Sequence, residues 1–387
     1  MSSYLCRVER VIYLDYAAST PLDPEVEAQM LPFLRATGNP SSIHAAGRRL
    51  RSAIEEARHT IAELLGAEPG QIVFTSGGTE ADNHALRGAV DTWGIQHILY
   101  NPTEHHAVTH TIEYLVQHRG IHAHPIAVDT QGRVVLEHLE QLLRRYPRSL
   151  VSVMYANNEI GTVQPVKEIA QLVKAYEGYY HCDTVQVMGL GWVNVKDWEV
   201  DFLAASAHKF YGPKGIGFMY RRRPVKSLIT GGSQERDQRA GTENVAGIVG
   251  MAYALKKAYA QKDAYQRHLR TLKDYLIARL REVFPDVIFH GDVSVEGSHP
   301  GILNFRLPAS VADDLIVVQM DIAGVCVSGT SACASGSAHP SHVLQAIGIS
   351  PQEAARALRF SWGHGIEQAD LDAAVDILRT TIASQPV

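Results

Sequence analysis

Residues 150–183 read LVSVMYANNEIGTVQPVKEIAQLVKAYEGYYHCD and combine two apolar runs with an amphipathic stretch between them. The runs Leu150 to Tyr155 and Tyr179 to Asp183 are short and rich in β-forming residues, which predicts strands. Val166 to Tyr176 carries its apolar residues on one face at helical spacing, which predicts a helix. A strand, a helix and a second strand in this order are typical of a parallel sheet covered by helices. The sequence therefore predicts an α/β fold.

The same pattern extends to both sides of this stretch. Leu50 to Leu65 has apolar residues at helical spacing and is followed by Gly66, a typical helix stop. From Thr242 to Phe284 the sequence is strongly helical, so we expect a larger domain that ends near residue 260 and a smaller one after it. The pattern also predicts strands at Ile72 to Thr75, Asp201 to Ala205, Gly215 to Tyr220, Ile302 to Arg306 and Val325 to Val327, and a final helix from Asp370 to Ile382.

Composition excludes several classes of protein. The chain has 387 residues, of which 45% are hydrophobic, and its formal net charge is -5, with acidic and basic residues mixed along it. Because nucleic-acid binding requires a clustered basic surface, we expect no nucleic-acid partner. No apolar run is long enough for a membrane span or a signal peptide, so we expect no membrane association. Four cysteines without a CxxC pair argue against a disulfide framework or a metal site, and we expect a cytoplasmic protein.

Four short polar segments follow the predicted strands. Ligands of open α/β sheets collect at the carboxyl ends of the strands, so we expect these segments to converge in one crevice. They are Ser76-Gly77-Gly78-Thr79, Asn157-Asn158-Glu159-Ile160-Gly161, His181-Cys182-Asp183-Thr184-Val185-Gln186 and Ser206-Ala207-His208-Lys209.

Each segment offers a chemical function. The glycines before the helix that starts near Glu80 let an anion approach free backbone N–H groups. Asp183 could keep a pyridine nitrogen protonated, and burial of Lys209 would favour the neutral amine that forms a Schiff base. The amides of Asn157 and Asn158 suit a ring hydroxyl or a carboxylate.

Each segment also has a plain structural interpretation. Thr79 could cap an ordinary helix, Asp183 could form a turn, and Lys209 could extend to solvent. The segment at Asn157 could likewise be a simple turn. From the residues alone these alternatives stay open.

In this order the four segments resemble the fold type I enzymes that use pyridoxal 5′-phosphate (PLP), and among them the cysteine desulfurases of the NifS and IscS type. The resemblance runs from Tyr13 to Ser361, nearly the whole chain. It implies a PLP-binding large domain over 13–260, with a mostly parallel sheet of the seven-stranded type flanked by helices, and a smaller α+β domain over 261–387 with 1–12. The matching motifs are Tyr13-Leu14-Asp15-Tyr16-Ala17-Ala18, Gly38-Asn39-Pro40-Ser41-Ser42, Phe74-Thr75-Ser76-Gly77-Gly78-Thr79-Glu80, Thr103-Glu104-His105, Asn157 to Gly161, His208-Lys209, Gly231-Gly232, Gln234-Glu235-Arg236, Arg239 to Asn244 and Arg359-Phe360-Ser361.

The resemblance implies a role for each residue of the crevice. Lys209 would hold PLP as a Schiff base, and Arg359 would bind the carboxylate of the substrate through two hydrogen bonds. His105 would stack on the PLP ring and assist proton transfers. The remaining cofactor contacts would be Asp183 at the pyridine nitrogen, Gln186 and Asn158 at the ring oxygen or the substrate, Val185 on the opposite ring face, and Gly78, Thr79, Ser206 and His208 at the phosphate.

The sulfur step requires a nucleophilic thiolate. Cys333 lies in a run of small residues that we expect to form a mobile loop, and the resemblance places the persulfide there, 26 residues before Arg359. The Cys333 thiolate would attack the sulfur of L-cysteine, leaving a persulfide and releasing alanine. His105 and His339 are both candidates for activating this thiol. Cys326, in an apolar run, is interpreted as a buried core thiol.

The resemblance also implies partners. In the family a threonine from the neighbouring subunit completes the phosphate site, and it matches Thr242, so we expect a homodimer. The sulfur would pass to an iron–sulfur scaffold or a sulfur-carrier protein. Two other functions remain as alternatives: a selenocysteine lyase or another class-V PLP aminotransferase with the same pocket, and a catalytically silent scaffold that docks partners.

Overall fold

A computed structural model describes residues 11–307, 315–329 and 340–383. Within these residues no helix is both long enough and apolar enough to span a membrane. The strands are β1 (Ile12–Tyr13), β2 (Ile72–Thr75), β3 (His97–Tyr100), β4 (His122–Pro125), β5 (Leu150–Ser152), β6 (Tyr179–Asp183), β7 (Phe202–Ser206), β8 (Gly217–Arg221), β9 (Ile288–His290), β10 (Ile302–Arg306), β11 (Val325–Cys326), β12 (Ser328–Gly329) and β13 (Ala357–Ser361).

Helices alternate with these strands over most of the chain, which is the arrangement that a parallel sheet requires. The helices are α1 (Pro24–Leu34), α2 (Ala45–Leu65), α3 (Gly78–Trp93), α4 (His106–Arg119), α5 (Leu136–Arg145), α6 (Val166–Ala175), α7 (Gln234–Asp237), α8 (Val245–Val283), α9 (Ile316–Ile322), α10 (His342–Ala346), α11 (Pro351–Ala354) and α12 (Gln368–Ala383).

A seven-stranded sheet forms the centre of the molecule, in the order β2-β8-β7-β6-β5-β3-β4. Neighbouring strands from β7 to β4 are parallel, whereas β8 is antiparallel to both β7 and β2. β6 and β7 are buried along almost their whole length because helices cover both faces. The predicted α/β fold with a mostly parallel, seven-stranded sheet is confirmed.

The C-terminal part of the chain builds a second, antiparallel sheet of four strands in the order β12-β13-β10-β9. The 39-residue helix α8 leads into it and begins where the Asn244 side chain accepts a hydrogen bond from the Gly247 N–H at 3.1 Å. The N-terminal strand β1 pairs with β11 through Ile12 and Val325. The expected boundary near residue 260 falls inside α8, and the two-domain division stays a prediction.

Several predicted elements change in detail. Thr79 does not cap α3; the helix begins at Gly78, two residues before the expected start near Glu80, with Gly77 as its N-cap. Gly66 ends α2 in the left-handed conformation, as expected. Cys326 is only half-buried rather than a core thiol, because alternate side chains of β11 face opposite sides and Val325 takes the inner one.

Candidate active site

A cavity of about 940 Å³ lies at the carboxyl ends of the central strands, between the seven-stranded sheet and the C-terminal part of the chain. All but two of the predicted site residues line it. They are Gly78, Thr79, His105, Asn158, Asp183, Val185, Gln186, Ser206, His208, Lys209 and Arg359. Thr242 does not line this cavity, and Cys333 lies outside the described residues.

The N-terminus of α3 forms one end of the cavity. A Cβ atom on Gly78 would come within 2.7 Å of Val185 Cγ2, so only glycine lets the backbone approach so closely here. Ser206, at the end of β7, lies beside the same turn, 3.6 Å from where a Cβ on Gly77 would be. Free N–H groups at a helix start and a neighbouring hydroxyl suit a phosphate group.

Glu80 lies in the first turn of α3, where its charge would repel a phosphate. Its carboxylate turns back to accept a hydrogen bond from the Ser76 N–H at 2.8 Å and forms an ion pair with Arg239 at 2.9 Å. These contacts, against the opposing effect of burial, lower the pKa of Glu80. The negative charge of Glu80 is therefore balanced by Arg239 and the Ser76 N–H, and does not oppose a phosphate at the start of α3.

Lys209 lies in the turn that follows β7, as the sequence predicts, and faces the cavity. Its amine donates hydrogen bonds to the backbone carbonyls of Ala17 and, at 2.9 Å, Ala18. Burial, together with the positive charge of Arg359, lowers the pKa of Lys209 to about 8. A substantial fraction of this amine is consequently neutral near neutral pH, the form that attacks a carbonyl.

Asp183 ends β6 on the floor of the cavity and is 5% exposed. One carboxylate oxygen accepts a hydrogen bond from the Val185 N–H at 2.8 Å. Burial raises the pKa of Asp183 to about 6, although the charge of Lys209 opposes this rise. A buried carboxylate in this setting can accept a hydrogen bond from a protonated ring nitrogen.

His105 caps the start of α4 and faces the cavity. Its Nδ1 accepts a hydrogen bond from the Ala107 N–H at 3.1 Å. Desolvation in the cavity, with the charge of Lys209, lowers the pKa of His105 to about 4. The imidazole is therefore neutral with its proton on Nε2, and that N–H can face a ligand.

Arg359 lies in β13 and is 8% exposed. Its terminal nitrogens donate to the Asn158 carbonyl at 2.9 Å, to Asp15 at 2.7 Å and to the Ser328 hydroxyl at 2.9 Å. Its Nε, by contrast, is buried and has no partner. A buried donor without an acceptor is costly, and because Arg359 lines the cavity, this Nε is suited to an anionic ligand.

Sequence reasoning missed two groups of residues that line the cavity. Asp15 belongs to a quoted motif but received no role, although it pairs with Arg359. Asp82 of α3 also lines the cavity and has no predicted role. Three histidines also line the cavity close together: His106, His110 and His342. The sequence indicates only the proximity of His106 and His110, which lie four residues apart on one face of α4.

Comparison with known proteins gives the family. The aminotransferase class-V sequence model matches residues 12–374. The chain belongs to the aminotransferase class-V family. A relative from Dictyoglomus turgidum, named cysteine desulfurase IscS, is 44% identical over 97% of this chain and 95% of its own.

Two solved structures agree with this class-V assignment. One, described as a NifS-like protein, is 33% identical, covers 96% of this chain and 99% of its own, and has a TM-score of 0.89. Another, described as SspA in complex with cysteine, is 30% identical, covers 91% of this chain and 99% of its own, and has a TM-score of 0.77.

Class-V aminotransferases depend on PLP, and so does this protein. The cavity fits the cofactor in three respects: a glycine-walled helix start for the phosphate, a buried carboxylate for the ring nitrogen, and a lysine amine of lowered pKa. No group of three His, Cys, Asp or Glu side chains in the described ranges could hold a metal ion.

Proposed function

We propose that this class-V enzyme is a PLP-dependent cysteine desulfurase, which converts L-cysteine to L-alanine and retains the sulfur as a persulfide on Cys333. The carrying observation is that one cavity holds both the lysine amine of lowered pKa and a buried, partly unpaired arginine. An amino-acid substrate has an amino group for the cofactor that Lys209 would hold and a carboxylate for Arg359. The relatives named cysteine desulfurase supply the identity of that amino acid.

The cofactor residues are proposed from their positions. Lys209 would hold PLP, Asp183 would contact its ring nitrogen, and Gly78, Thr79, Ser206 and His208 would hold its phosphate. When bound, PLP supplies an electron sink for the bonds at the α-carbon of an amino acid. Val185 would pack on one ring face, and Gln186, which donates to the Ala17 carbonyl at 3.0 Å, would address the ring oxygen together with Asn158.

One side chain would carry protons, and a second would assist the transfer. The Lys209 amine, with its pKa lowered to about 8, can take a proton from the α-carbon and return it. The His105 imidazole is neutral and has its proton on Nε2, so it can assist by donating a hydrogen bond to the group that gains negative charge. Both functions follow from burial, which keeps His105 neutral at neutral pH and raises the neutral fraction of Lys209 above that of an exposed lysine.

Arg359 would bind the substrate carboxylate. Its Nε has no partner, and Asp15 and Ser328 hold the other end of the guanidinium in place. A planar guanidinium held on one side can present its remaining donors to a carboxylate with little loss of side-chain entropy. The substrate is thereby oriented with its sulfur free to meet a second reactant.

Cys333 would be that reactant. Its thiolate forms a bond to the substrate sulfur while the carbon–sulfur bond breaks, and the carbon takes protons to become alanine. The net reaction converts L-cysteine and a thiol into L-alanine and a persulfide. Support for the position comes from the family resemblance and from Ser328, Gly329 and Pro340, which border the cavity on either side of residues 330–339.

We propose a homodimer in which Thr242 reaches the phosphate site of the neighbouring subunit. Thr242 is exposed and does not line the cavity of its own chain. Its segment is fixed by three ion pairs, Arg58–Glu235, Arg239–Glu80 and Arg51–Glu243. A firmly held, outward-facing threonine suits a contribution in trans.

The sulfur acceptor and the cellular location are proposed on chemical grounds. A persulfide is a carrier of sulfur, so an iron–sulfur scaffold or a sulfur-carrier protein is the expected acceptor. A reactive thiol persists in a reducing compartment, which favours the cytoplasm.

The function is tested by comparing two cysteine variants. Cys333→Ser is expected to retain the yellow cofactor and to lose at least about 100-fold in sulfide release from cysteine with a reductant, because its nucleophile is gone. Cys326→Ser is the matched control, since the Cys326 thiol is half-buried against Asp321 at 3.9 Å and its burial raises its pKa. We expect Cys326→Ser to keep wild-type activity.

Two outcomes would overturn the assignment. Full sulfide release by Cys333→Ser would place the nucleophile elsewhere. Wild-type protein that releases no alanine from cysteine but transfers amino groups to a keto acid would be another class-V aminotransferase.

A further inference from the structure

A continuous chain of buried polar side chains lies beneath the cofactor site. Its members are Asp82 of α3, His181 of β6, Ser152 of β5 and Glu104 before α4. His181 Nε2 is 3.1 Å from Asp82 Oδ1, and His181 Nδ1 is 2.9 Å from the Ser152 hydroxyl. The Ser152 hydroxyl is 3.3 Å from Glu104 Oε1, which also accepts the Met154 N–H at 2.8 Å. All four side chains are at most 1% exposed.

One end of the chain meets the cofactor site. Asp82 lines the cavity together with Asp183, and His181 and Asp183 lie on the same face of β6 because side chains alternate along a strand. Neither Asp82 nor His181 was needed to assign the cofactor contacts. The proposed roles of Lys209 and Arg359 leave them unused.

The hydrogen bonds allow two proton arrangements. In the first, Glu104 is neutral and donates to Ser152, Ser152 donates to His181 Nδ1, and His181 Nε2–H donates to an ionised Asp82. In the second, Asp82 is neutral and donates to His181 Nε2, His181 Nδ1–H donates to Ser152, and Ser152 donates to an ionised Glu104. The two arrangements differ by the shift of one proton across each hydrogen bond. The four side chains together carry a single negative charge in either arrangement.

The surroundings favour one shared proton. Burial, Asp183 and Glu104 raise the pKa of Asp82 well above its ordinary value, and burial and Asp183 do the same for Glu104. Burial lowers the pKa of His181 to about 3, which keeps the imidazole neutral. Tyr180 and Cys182 lie on the opposite face of β6, and burial raises the pKa of each, so both are uncharged. Lys209 is the cation that acts on Asp183.

Glu104 provides a second, independent observation. Its Oε2 is buried without a hydrogen-bond partner. A permanent carboxylate would leave that oxygen strongly undersolvated, whereas a neutral carboxyl tolerates the position better. The negative charge is therefore expected to spend part of its time at the other end of the chain.

We propose that Glu104, Ser152, His181 and Asp82 form a one-proton relay that places a proton on Asp82 whenever Asp183 is charged. The relay rests on the proposed function, because its purpose is to keep Asp183 the only carboxylate in contact with the ring nitrogen of PLP. Asp82 and its partners act through Asp183 and are positioning residues. Like charges so close together would otherwise compete for that ring proton.

The test uses the pH titration of the visible absorption band of the purified holoenzyme, which reports the proton on the Lys209–PLP Schiff base. Glu104→Gln keeps an acceptor oxygen for Met154 and Ser152 but removes the shared negative charge. We expect the midpoint of the titration to fall by about one pH unit, because loss of a buried negative charge destabilises the protonated Schiff base.

Ser152→Ala interrupts the relay without removing a charged residue. Glu104, deprived of its hydroxyl donor, should then stay neutral, and Asp82 should stay neutral as well because burial and Asp183 raise its pKa. The midpoint should therefore fall in the same direction. The double variant should shift no further than either single variant, because both changes abolish the same charge. Ser149→Ala is the matched control: Ser149 is equally buried and precedes β5, but its hydroxyl donates to the Tyr146 carbonyl, outside the relay.

The outcomes separate the relay from the proposed function. If the wild type forms no visible band with added PLP, the cofactor site itself is wrong, and the relay proposal falls with it. If the wild type and all variants hold PLP but Glu104→Gln and Ser152→Ala titrate like Ser149→Ala, the relay alone is overturned. Should Glu104→Gln fail to fold, Ser152→Ala still decides, since it removes only one hydroxyl.

Discussion

Two buried lysines of lowered pKa lie in different regions of this molecule. Burial lowers the pKa of Lys209 to about 8 and that of Lys273 to about 7. Lys209 faces a large cavity, whereas Lys273 is 0% exposed and donates to the Ser298 hydroxyl at 2.8 Å and the His299 carbonyl at 2.9 Å. Desolvation of the amine is common to both. Access to a ligand distinguishes them.

The comparison shows that a perturbed pKa marks a functional site only together with space and complementary groups. Lys209 shares its cavity with Asp183 and Arg359, which offer partners to a cofactor and a substrate. Lys273 instead supports the segment that holds His299, whose Nε2 donates to the Gln186 carbonyl at 3.1 Å. Lys273 thus stabilises one wall of the cavity without facing its contents.

The largest expected effect comes from replacing each of the two lysines separately. Lys209→Ala should lower alanine formation from cysteine by at least about 10³-fold, because both the cofactor attachment and the proton carrier are lost. Lys273→Met should stay within a few-fold of wild type. Borohydride reduction followed by mass spectrometry should find the trapped cofactor on the Lys209 peptide. A cofactor trapped on the Lys273 peptide would instead show that Lys273 is the cofactor-binding lysine.

A smaller effect is expected from Arg359→Lys. Lysine keeps the positive charge but cannot reach Asp15, Ser328 and the substrate carboxylate together. We expect KM for cysteine to rise about 10- to 100-fold, which corresponds to one lost charge-assisted hydrogen bond. Steady-state kinetics would measure it. An unchanged KM with a normal cofactor spectrum would remove Arg359 from substrate binding.

The sequence predicts the cofactor side of the site well because that side depends on local patterns. Strands that end in polar residues bring Asp183 and Lys209 to one edge of a parallel sheet, and the structure places both there. Gly78 is recognisable for the same reason, since it starts α3 in the short turn after β2.

The relay and Asp15 could not be predicted because their contacts join distant parts of the chain. Glu104 and Ser152 meet only through the parallel pairing of β3 and β5, and Asp15 meets Arg359 across 344 residues. Cys326 shows the converse: its apolar surroundings suggest burial, but a two-residue strand turns it outward. Side-chain direction in so short a strand depends on its pairing rather than on composition.

The smallest effect concerns the stability that Lys273 contributes at different pH. Its pKa is near 7 in the folded protein and 10.5 ordinarily, so the unfolded chain binds more protons between these values. Burial of Lys273 therefore costs no stability through its protonation above pH 10.5, and the free energy of unfolding decreases as the pH falls from there toward 7. Lys273→Met lacks that dependence, so the difference in unfolding free energy between wild type and variant should grow from pH 7 to pH 9 by at most about 1.4 kcal/mol per pH unit. Urea denaturation at both pH values measures it, and a difference that stays constant from pH 7 to pH 9 would show that Lys273 is charged in the folded protein. In that case the contrast with Lys209 would rest on the cavity alone.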